Sequence, residues 1–579
     1  MSNNIPQQSI PVAVNATTNM DLSCDHITTM NFGYMQPVYY RHMIKGEHIK
    51  LNSMLTIRPF PLAVPTYGRM RINVRQFFVP WRTVFPQWDS FYNDTIAVNV
   101  DNASVIANSP IFTNADAVAL LSDVNHAAVA QNDAVDFVMG STSYRFTAQG
   151  KFLFKLFTSL GYAFNFDTKD ETPYSALPLL AYAKIYVDYY ANQSYLDTAD
   201  VVFWRKKFAF NDPTAQLRLD SIALLAFETL VFRACYEPDY FVSAWDSPFA
   251  PNAQQYSAIM FNDVVGGTHV DNTFDGSGTP IMVQDSQSNT QIGTQYLHDA
   301  LKAITDYSKR HQLAGANNIN RTLAQFGFGV NHLKADRSYY LHGSSIDIQV
   351  GAIYSTANTA MPSAPSTLGD YAGNGFGQGK SDCDYKCDEF GIFIEIATLL
   401  PSGGYYQGMD ENNMHITKDQ FFNPEYDALG VQPIRKRELY MSRNSSYATD
   451  YTVYDRPFGF TGRYGEMKRP RSWVSGDLAC PSWFVGGDSW HLMRKFDDDT
   501  FTTLSNQNHG PDFTKYESRT YDRIFTVNSV NTQLSHDKFI AIFHHDVSAI
   551  APCHGLFETY EFGTDGKKVQ VAANGAICN

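Results

Sequence analysis

The chain has 579 residues, with 58 acidic against 44 basic side chains and a formal net charge of −14. This acidic excess argues against a general polyanion-binding protein, because nucleic-acid-binding domains usually carry a basic excess, although it leaves room for a local basic patch. The seven cysteines are odd in number and scattered, which does not match a secreted disulfide scaffold and favours reduced thiols.

Aromatic side chains are abundant, whereas charged ones are scarce. Phe, Tyr and Trp make up 14% of the chain and charged residues 18%, against a usual charged share of about 25%. Large rings favour both extensive contact surfaces and cores. Composition alone therefore does not distinguish a protein with much buried interface from one with a large aromatic core. The N-terminus lacks a signal-peptide pattern, and no stretch reaches the ~20 apolar residues that span a bilayer. We therefore expect synthesis in the cytoplasm, no export and no membrane span.

The first half of the chain opens with an arm and two strands. Residues 1–24 are predicted to be an N-terminal arm without a basic cluster for binding nucleic acid, because Arg41 is the first cation; residues 25–579 then form a single elaborated domain. His48–Phe60 and Tyr67–Val79 alternate apolar and polar residues, the second more clearly. A period of two with one apolar face predicts half-buried strands of an antiparallel sheet. The polar face of the second strand carries Arg69, Arg71 and Arg75.

The middle of the chain mixes helices with loop-rich segments. Residues 95–140 are interpreted as a mostly helical insertion, and Tyr144–Phe157 alternates as a strand would. Residues 248–294 are rich in Gly, Asn, Asp, Ser and Gln, which is typical of loops and suggests an external protrusion. Helical spacing, with Pro178 tolerated in a first turn, predicts three helices: Ser175–Leu196, Leu217–Tyr236 and Tyr296–Phe328.

Strand patterns return in the second half. Residues 361–384 are rich in Gly, Ser and Pro and are predicted to be an exposed loop insertion, whereas Phe390–Leu399 is apolar enough for the centre of a sheet. Further strands are predicted at Ser344–Tyr354, Asp522–Gln533, His536–Val547 and Gly555–Phe562. Strands at both ends, with helices and loops inserted between them, predict a mainly β fold, a β-sandwich rather than an alternating βαβ enzyme.

Candidate metal and catalytic groups are weak. His544, His545 and Asp546, with His554 nearby, are the most metal-like cluster, but adjacent histidines on a strand point to opposite faces and cannot easily share one ion. Cys383 and Cys387 lack a second pair at zinc spacing. The phosphate-binding, metalloprotease and nucleophile motifs are absent from the sequence. We therefore predict no enzyme activity, no catalytic or metal residue and no cofactor.

Two basic clusters stand out against the acidic background. The first is Arg435, Lys436 and Arg437. The second interleaves cations with rings, as single-stranded nucleic acid requires for phosphate neutralisation and base stacking. Salt bridges at a subunit contact are the alternative interpretation of both clusters. The second cluster comprises Arg463, Tyr464, Lys468, Arg469, Arg471 and Trp473.

Several short blocks occur in a constant order and begin at Gly33-Tyr34, Phe77-Phe78-Val79-Pro80, Leu177-Pro178, Asp239-Tyr240-Phe241, Phe326-Gly327-Phe328-Gly329, Arg463-Tyr464 and Asp488-Ser489-Trp490-His491. Together these blocks resemble the major capsid protein of the microviruses, and in particular their gokushovirus-like branch. They occur over roughly residues 30–545. Three departures from the family pattern indicate a divergent branch: His342 replaces the first glycine of a Tyr-Leu-Gly-Gly motif, Gly465 stands where the family favours Ala, and the 95–140 insertion is longer than the family leads one to expect.

The resemblance implies a viral jelly-roll β-sandwich of two antiparallel sheets, with large helical and loop insertions. It further implies a pentamer-based T=1 icosahedral shell around single-stranded DNA, assembled in the host cytoplasm and present in the virion. Minor spike or pilot proteins, DNA-binding proteins and a host receptor are the other partners that it implies. The loops at 248–294 and 361–384 would then be external and contribute to host attachment.

Two other functions remain open from the residues alone. A carbohydrate-binding or carbohydrate-processing β-sandwich would use the richness in Tyr, Trp, Asn and Asp, but the missing export signal and the unpaired cysteines disfavour it. A metal-dependent jelly-roll enzyme would rest only on the His544–Asp546 cluster.

Overall fold

A computed structural model of the chain describes a little over half of its length, and everything below concerns those residues alone. The described ranges are 17–92, 97–99, 102–104, 109–121, 137–139, 142–144, 148–164, 169–191, 234–245, 302, 337–354, 371–427, 431–441, 452–468, 472–480, 486–496, 513, 518–526, 537–553, 558–560, 568–571 and 577–578.

Nine strands form one strongly curled antiparallel sheet, in the order β1-β17-β4-β13-β12-β5-β14-β3, with β2 also paired to β17. The alternating patterns of His48–Phe60 and Tyr67–Val79 are confirmed as strands β4 and β5. The nine strands are β1 (Thr18–Asp21), β2 (Cys24–Met30), β3 (Met35–Met43), β4 (His48–Pro59), β5 (Arg69–Pro80), β12 (Tyr339–Tyr354), β13 (Tyr371–Lys386), β14 (Gly391–Ser402) and β17 (Phe539–Ala551).

The curled sheet folds into two four-stranded layers, β2-β17-β4-β13 and β3-β14-β5-β12. The layers are joined where residues 349–354 of β12 pair with 371–376 of β13. Eight antiparallel strands in these two orders are the arrangement of a jelly roll, so the predicted fold class is confirmed. The apolar residues of both layers meet in one core, which includes Leu55 and Ile57 from one layer and Met70 and Ile72 from the other.

Helices cover the outer face of the β5–β14 layer. Every residue of β14 except Ser402 is buried, which confirms the prediction that Phe390–Leu399 lies centrally in a sheet. The predicted helix at Ser175–Leu196 is confirmed over Leu177–Ile185, with Pro178 in the first turn, and a π-helical turn continues it over Tyr186–Tyr190. The Tyr182 hydroxyl donates to the Met35 carbonyl at 2.7 Å, which fastens this helix to β3.

The remaining elements are short. The α-helices are α1 (Trp81–Val84), α2 (Trp88–Tyr92), α3 (Asn114–Leu121), α4 (Ala148–Ser159), α5 (Leu177–Ile185), α6 (Lys436–Leu439) and α7 (Thr452–Asp455). The short strands pair locally and are β6 (Ala97–Asn99), β7 (Asn102–Ser104), β8 (Ile111–Thr113), β9 (Phe137–Met139), β10 (Thr142–Tyr144), β11 (Pro173–Ser175), β15 (Val431–Arg435), β16 (Pro457–Gly462), β18 (Glu558–Tyr560), β19 (Lys568–Val571) and β20 (Ile577–Cys578).

The predicted loop insertion at 361–384 is wrong over its described part. Tyr371–Lys386 is strand β13, which belongs to the sandwich rather than to an exposed protrusion. Its glycines at alternate positions face the interior, where other side chains take the space that their own would fill: a Cβ at Gly379 would lie 2.5 Å from Ile346 Cγ1. The glycine content therefore reflects close packing inside the fold, not a loop.

Two further strand predictions are wrong. Tyr144–Phe157 is largely helix α4, because its buried residues Leu153, Leu156, Phe157 and Leu160 recur at helical spacing. The start of Asp522–Gln533 lies in a 3-10 helix, Ser518–Ile524.

The remaining predicted segments are either only partly as predicted or lie outside the described residues. Thr18–Asp21, within the predicted arm, forms edge strand β1 against Ser548–Ala551. The 95–140 segment contains short strands as well as helix α3. The predicted protrusion at 248–294 and nearly all of the two predicted helices at 217–236 and 296–328 lie outside the described residues.

Candidate subunit or nucleic-acid interface

A small two-stranded sheet positions both basic clusters. β15 and β16 pair antiparallel, with Arg435 opposite Pro457 and Val431 opposite Gly462. Arg435 therefore lies at one end of this sheet and Arg463 just beyond the other end, roughly 15 Å away at ~3.3 Å per residue. The two clusters belong to one substructure, but they do not merge into one basic surface.

The first cluster is engaged by its own surroundings. Arg437 forms an ion pair with Asp455, and the Arg435 backbone N–H donates to Glu438 Oε1 at 2.7 Å. Lys436 is buried, with 3% of its surface exposed. Burial, reinforced by the neighbouring Arg456 guanidinium, lowers the pKa of Lys436 to about 8. The geometry makes this cluster a poor backbone-phosphate site.

The second cluster is built around Tyr464. This residue is buried and holds a left-handed backbone with φ 59°, a conformation that costs a non-glycine residue free energy and persists where surrounding contacts fix it. Its N–H donates to Gln432 Oε1 at 2.8 Å, and its hydroxyl accepts from the Asn423 N–H at 3.1 Å. The Arg463 guanidinium lies 5.3 Å from the Tyr464 ring centre and 5.7 Å from that of Tyr426. Arg463 is therefore held against two rings.

The rest of the second cluster is more exposed. Lys468 Nζ contacts Asp427 at 2.5 Å and donates to the Arg463 carbonyl at 3.2 Å. The Trp473 ring is 72% exposed, so a partner can stack on it. Arg469 and Arg471 lie outside the described residues. Of the predicted contact residues, Arg463, Lys468 and Trp473 thus have the geometry of an outward-facing surface.

An acidic pocket that the sequence analysis did not identify lies beside the first cluster. It encloses about 110 Å³ and is lined by Asp239, Asp410, Glu411, Glu438 and Glu466 together with Tyr240 and Tyr405. Burial raises the pKa of Glu438 to about 8 and also raises the pKa of Glu411. Carboxyl groups, neutral or charged, offer a phosphate no positive partner, so this pocket does not extend the first cluster into a DNA-binding surface.

A second feature missed from the sequence is an exposed apolar surface on the loop before β15 and the turn after β16. We call it the apolar loop patch. Its five side chains are between 39% and 87% exposed. They are Ile416, Phe421, Phe422, Tyr426 and Met467.

The three arginines of β5 have partners within the chain. Arg69 donates to Asp347 at 2.9 Å, and Arg71 pairs with Asp347 and Glu237, each at 3.3 Å. Arg75 lies 5.5 Å from the ring centre of Tyr190. This row joins β5 to β12 and to the segments packed on them.

The two adjacent histidines of β17 point to opposite faces, as predicted. His544 faces outward, 2.7 Å from Asp25, while His545 is buried inside the sandwich. His545 Nδ1 lies 2.8 Å from Ser53 Oγ, and Ser53 donates to Glu395 at 2.9 Å. Burial lowers the pKa of His545 to about 4 and raises that of Glu395 to about 7. These groups form a polar link between the two layers rather than a metal site.

The paired cysteines are packing residues. Cys383 and Cys387 are buried in an apolar cluster with Ile49 and Leu51, and burial raises the pKa of each thiol to about 12. A thiol with such a pKa is a poor metal ligand and a poor nucleophile at neutral pH. Within the described residues, no group of three or more His, Cys, Asp or Glu side chains has metal-binding geometry. Nor does any helix there have the length and apolarity to cross a membrane.

Comparison with known proteins supports one assignment across most of the chain. The sequence profile of the family described as "Capsid protein (F protein)" matches residues 9–135 and 164–550. Capsid protein VP1 of Bdellovibrio phage phiMH2K is 22% identical over 513 residues, covering 81% of this chain and 83% of that protein. Capsid protein VP1 of Chlamydia phage 1 is 21% identical over 568 residues, covering 84% and 88%. Capsid protein VP1 of Spiroplasma virus 4 is 21% identical over 522 residues, covering 81% and 83%.

The resemblance drawn from short sequence blocks is confirmed by these matches, which extend over both layers of the jelly roll. The matching blocks also occupy defined places in the fold: Leu177–Tyr190 covers the outer face of the second layer, and Tyr464 anchors the candidate interface. The chain belongs to the capsid protein (F protein) family of the microviruses, in its gokushovirus-like branch, and is a virion structural protein.

Proposed function

We propose that this capsid protein assembles, through pentamers, into a T=1 icosahedral shell that encloses single-stranded DNA. The observation that carries the proposal is a complete eight-stranded jelly roll within a chain that matches the capsid family over most of its length. A closed sandwich of this kind presents its loops and outer faces to neighbours, as a shell subunit requires. Assembly takes place in the host cytoplasm.

The DNA contact in this proposal uses few cations. The second basic cluster supplies Arg463, Lys468 and Arg471, with Trp473 as an exposed ring for base stacking. Lys468 is already paired with Asp427 of the same chain. This carboxylate weakens the attraction of Lys468 for phosphate and favours the competing role, a salt-bridge network at a subunit contact. The first cluster (Arg435, Lys436, Arg437) contributes less in either role, because Lys436 is buried and Arg437 is paired with Asp455.

Neutralising the outward cations separates these two roles. In particles of the Arg463→Gln, Lys468→Gln, Arg471→Gln variant, we expect at least about a twofold loss of packaged DNA, because fewer phosphates are neutralised, while shells still form. The measurement is the ratio of absorbance at 260 nm to that at 280 nm, together with extracted DNA, on purified particles. Lys50→Gln, an exposed cation of β4, serves as the control. If shells fail to form, the three residues are subunit contacts and not DNA contacts.

Host attachment is the remaining part of the proposal. The Gly-, Asn- and Asp-rich segment 248–294 is proposed as the external, receptor-binding protrusion. The 361–384 segment no longer shares that role over 371–384, because those residues are strand β13. Minor spike or pilot proteins and DNA-binding proteins are proposed as further virion partners.

A carbohydrate-processing β-sandwich was the competing function. The relatives found are capsid proteins, and the best metal-like cluster is divided between two faces of β17. A structural, non-enzymatic role is therefore the function we propose.

A further inference from the structure

The apolar loop patch is held in place by polar contacts within its own loop. Gln420 Oε1 accepts from the backbone N–H groups of Ile416 and Thr417 at 2.6 and 2.9 Å. The Phe422 ring packs 5.0 Å from the ring of Tyr464, whose hydroxyl donates to the Phe421 carbonyl at 3.3 Å. The loop is therefore preorganised before it meets a partner, which lowers the entropy cost of binding.

The exposed apolar area is large for one loop and one adjoining turn. Ile416 is 87% exposed, Phe421 56%, Met467 55%, Phe422 48% and Tyr426 39%. With roughly 200 Å² for each fully exposed large side chain, these residues leave roughly 600 Å² in water. This equals the largest patch on a typical monomer, and it supplies most of the ~800 Å² that each partner buries in a standard interface.

Charge and shape favour a protein over DNA as the occupant. Ile416 and Met467, two of the most exposed side chains of the patch, offer no ring for base stacking. The surrounding charges have both signs: Lys418 and Glu425 are exposed on either side of Phe421 and Phe422, and neither forms an ion pair within the described residues. A rim of mixed sign around an apolar centre is the anatomy of a protein–protein interface, whereas carboxylates at the rim repel phosphate.

We propose that the apolar loop patch is buried against a second copy of this chain in the assembled shell. The inference rests on the proposed capsid assembly, because copies of this chain are the one partner that every subunit of such a shell must contact. In this arrangement the rim charges Lys418 and Glu425 meet opposite charges on the neighbouring copy, and the rings of Phe421 and Phe422 form the dry centre of the contact.

Hydroxyl-radical footprinting of the wild-type protein tests this directly. Oxidation of Met467, Phe421 and Phe422 is measured by mass spectrometry in dissociated subunits, in DNA-containing particles and in particles emptied of DNA. We expect all three residues to oxidise at least about fivefold more slowly in both kinds of particle than in free subunits. Equal rates in particles and subunits contradict the inference, and so does protection confined to DNA-containing particles, which makes DNA the occupant.

Substitutions in the apolar loop patch provide a test that is independent of footprinting. Ile416→Asp, at the most exposed position, and the double variant Phe421→Ser, Phe422→Ser should each reduce particle yield at least about tenfold. Tyr67→Ser removes a ring outside the patch that is 72% exposed, more than either phenylalanine, and should leave the yield within about twofold of wild type. Thermal melting of the free subunits checks that each variant folds.

The outcomes distinguish this inference from the proposed function. If folded patch variants assemble as wild type does, the inference is wrong and the capsid function stands. If wild-type protein forms no closed particles, the proposed assembly itself is wrong, and the patch inference falls with it.

Discussion

Single buried residues show where this capsid subunit is sensitive to its surroundings. Glu395 is fully buried between the two layers of the jelly roll, where Ser53 donates to it at 2.9 Å and Gln76 at 2.7 Å. Desolvation outweighs these hydrogen bonds and raises its pKa to about 7. Around neutral pH, the fold therefore holds a carboxyl group that is poised between its neutral and its charged form.

The Glu395→Gln substitution should make the fold more stable at high pH and leave it little changed at low pH. Because the folded pKa, about 7, lies above the ordinary value of 4.5, the stability that Glu395 contributes is present below pH 4.5 and is lost as the pH rises through 7. The variant should therefore gain up to about 3 kcal/mol over wild type by pH 8. Denaturant unfolding of dissociated subunits at pH 5 and pH 8 measures this difference.

The comparison between variant and wild type isolates Glu395 from His545. Burial lowers the pKa of His545 to about 4, so its contribution has the opposite sign: it is present above pH 6.5 and is lost as the pH falls through 4. Both proteins keep His545, so subtraction removes the part of its contribution that does not depend on its contact with Glu395 Oε2, 3.5 Å away. A difference in unfolding free energy that does not grow with pH would show that Glu395 is charged in the fold throughout this range.

Arg494 is a second residue whose role only the structure shows. Its guanidinium is buried between rings, 4.2 Å from the centre of Tyr236 and 4.1 Å from that of Phe513. It donates to the Tyr405 hydroxyl at 3.2 Å and to the Phe513 carbonyl at 3.1 Å. These four contacts tie distant segments together, yet no local pattern around Arg494 indicates them in the sequence.

At the scale of the elements, strand β13 is the clearest test of why the sandwich closes. Gly373, Gly375, Gly377 and Gly379 all face the interior, and each is close to another part of the fold. Ile346 of β12 fills the space next to Gly379, where an added Cβ would come within 2.5 Å of its Cγ1. Close approach of the chain, not a turn, therefore requires glycine here.

The Gly379→Ala substitution should lower the free energy of unfolding by about 1–3 kcal/mol, because an added methyl group overpacks the interior. Gly351→Ala is the matched control, since an added Cβ at this position of β12 meets nothing within 4 Å. The control should be neutral or slightly stabilising, as it restricts the unfolded chain. Equal effects of the two substitutions, measured by chemical denaturation of free subunits, would show that the glycines of β13 are not needed for packing.

Strand β13 also shows how far the sequence could predict the elements. Strands β4, β5 and β17 were predicted because their apolar residues alternate, and β14 because it is apolar throughout. The sequence does not predict strand β13, because glycines occupy its inward positions. Apolar and polar side chains therefore do not alternate there as they do in the other strands. Helix α4 was missed because Phe152 and Phe154 lie two residues apart in the sequence and suggest a strand, whereas the buried residues follow a helical period.

The candidate interface was predictable only in part, for a similar reason. The sequence places Arg435, Lys436 and Arg437 together. It does not show that Arg437 pairs with Asp455 or that Lys436 is buried. It identifies Tyr464 as part of an aromatic and basic cluster. In contrast, the sequence suggests that the residues of the apolar loop patch are buried in the core. Ile416, Phe421 and Phe422 are apolar, and their spacing gives no sign that they are exposed.

At the scale of the whole molecule, different parts of the described chain have different structural roles. Two layers of the jelly roll form the scaffold, a helical layer around Leu177–Tyr190 covers one outer face, and the substructure around β15 and β16 presents an apolar surface outward. The overall charge of −14 is unsuited to general DNA binding. If the proposed function is right, local cations and rings, repeated over the many subunits of a shell, supply the contacts to nucleic acid.

Electron microscopy of particles formed by the wild-type protein tests the central claim most directly. We expect closed, isometric particles with icosahedral symmetry, in which a reconstruction places sixty jelly rolls of this chain, one per asymmetric unit. Particles that contain DNA and particles that are empty should share this shell. A stable monomer or small oligomer under all assembly conditions, or a shell with a different number of copies, would contradict the proposed T=1 capsid.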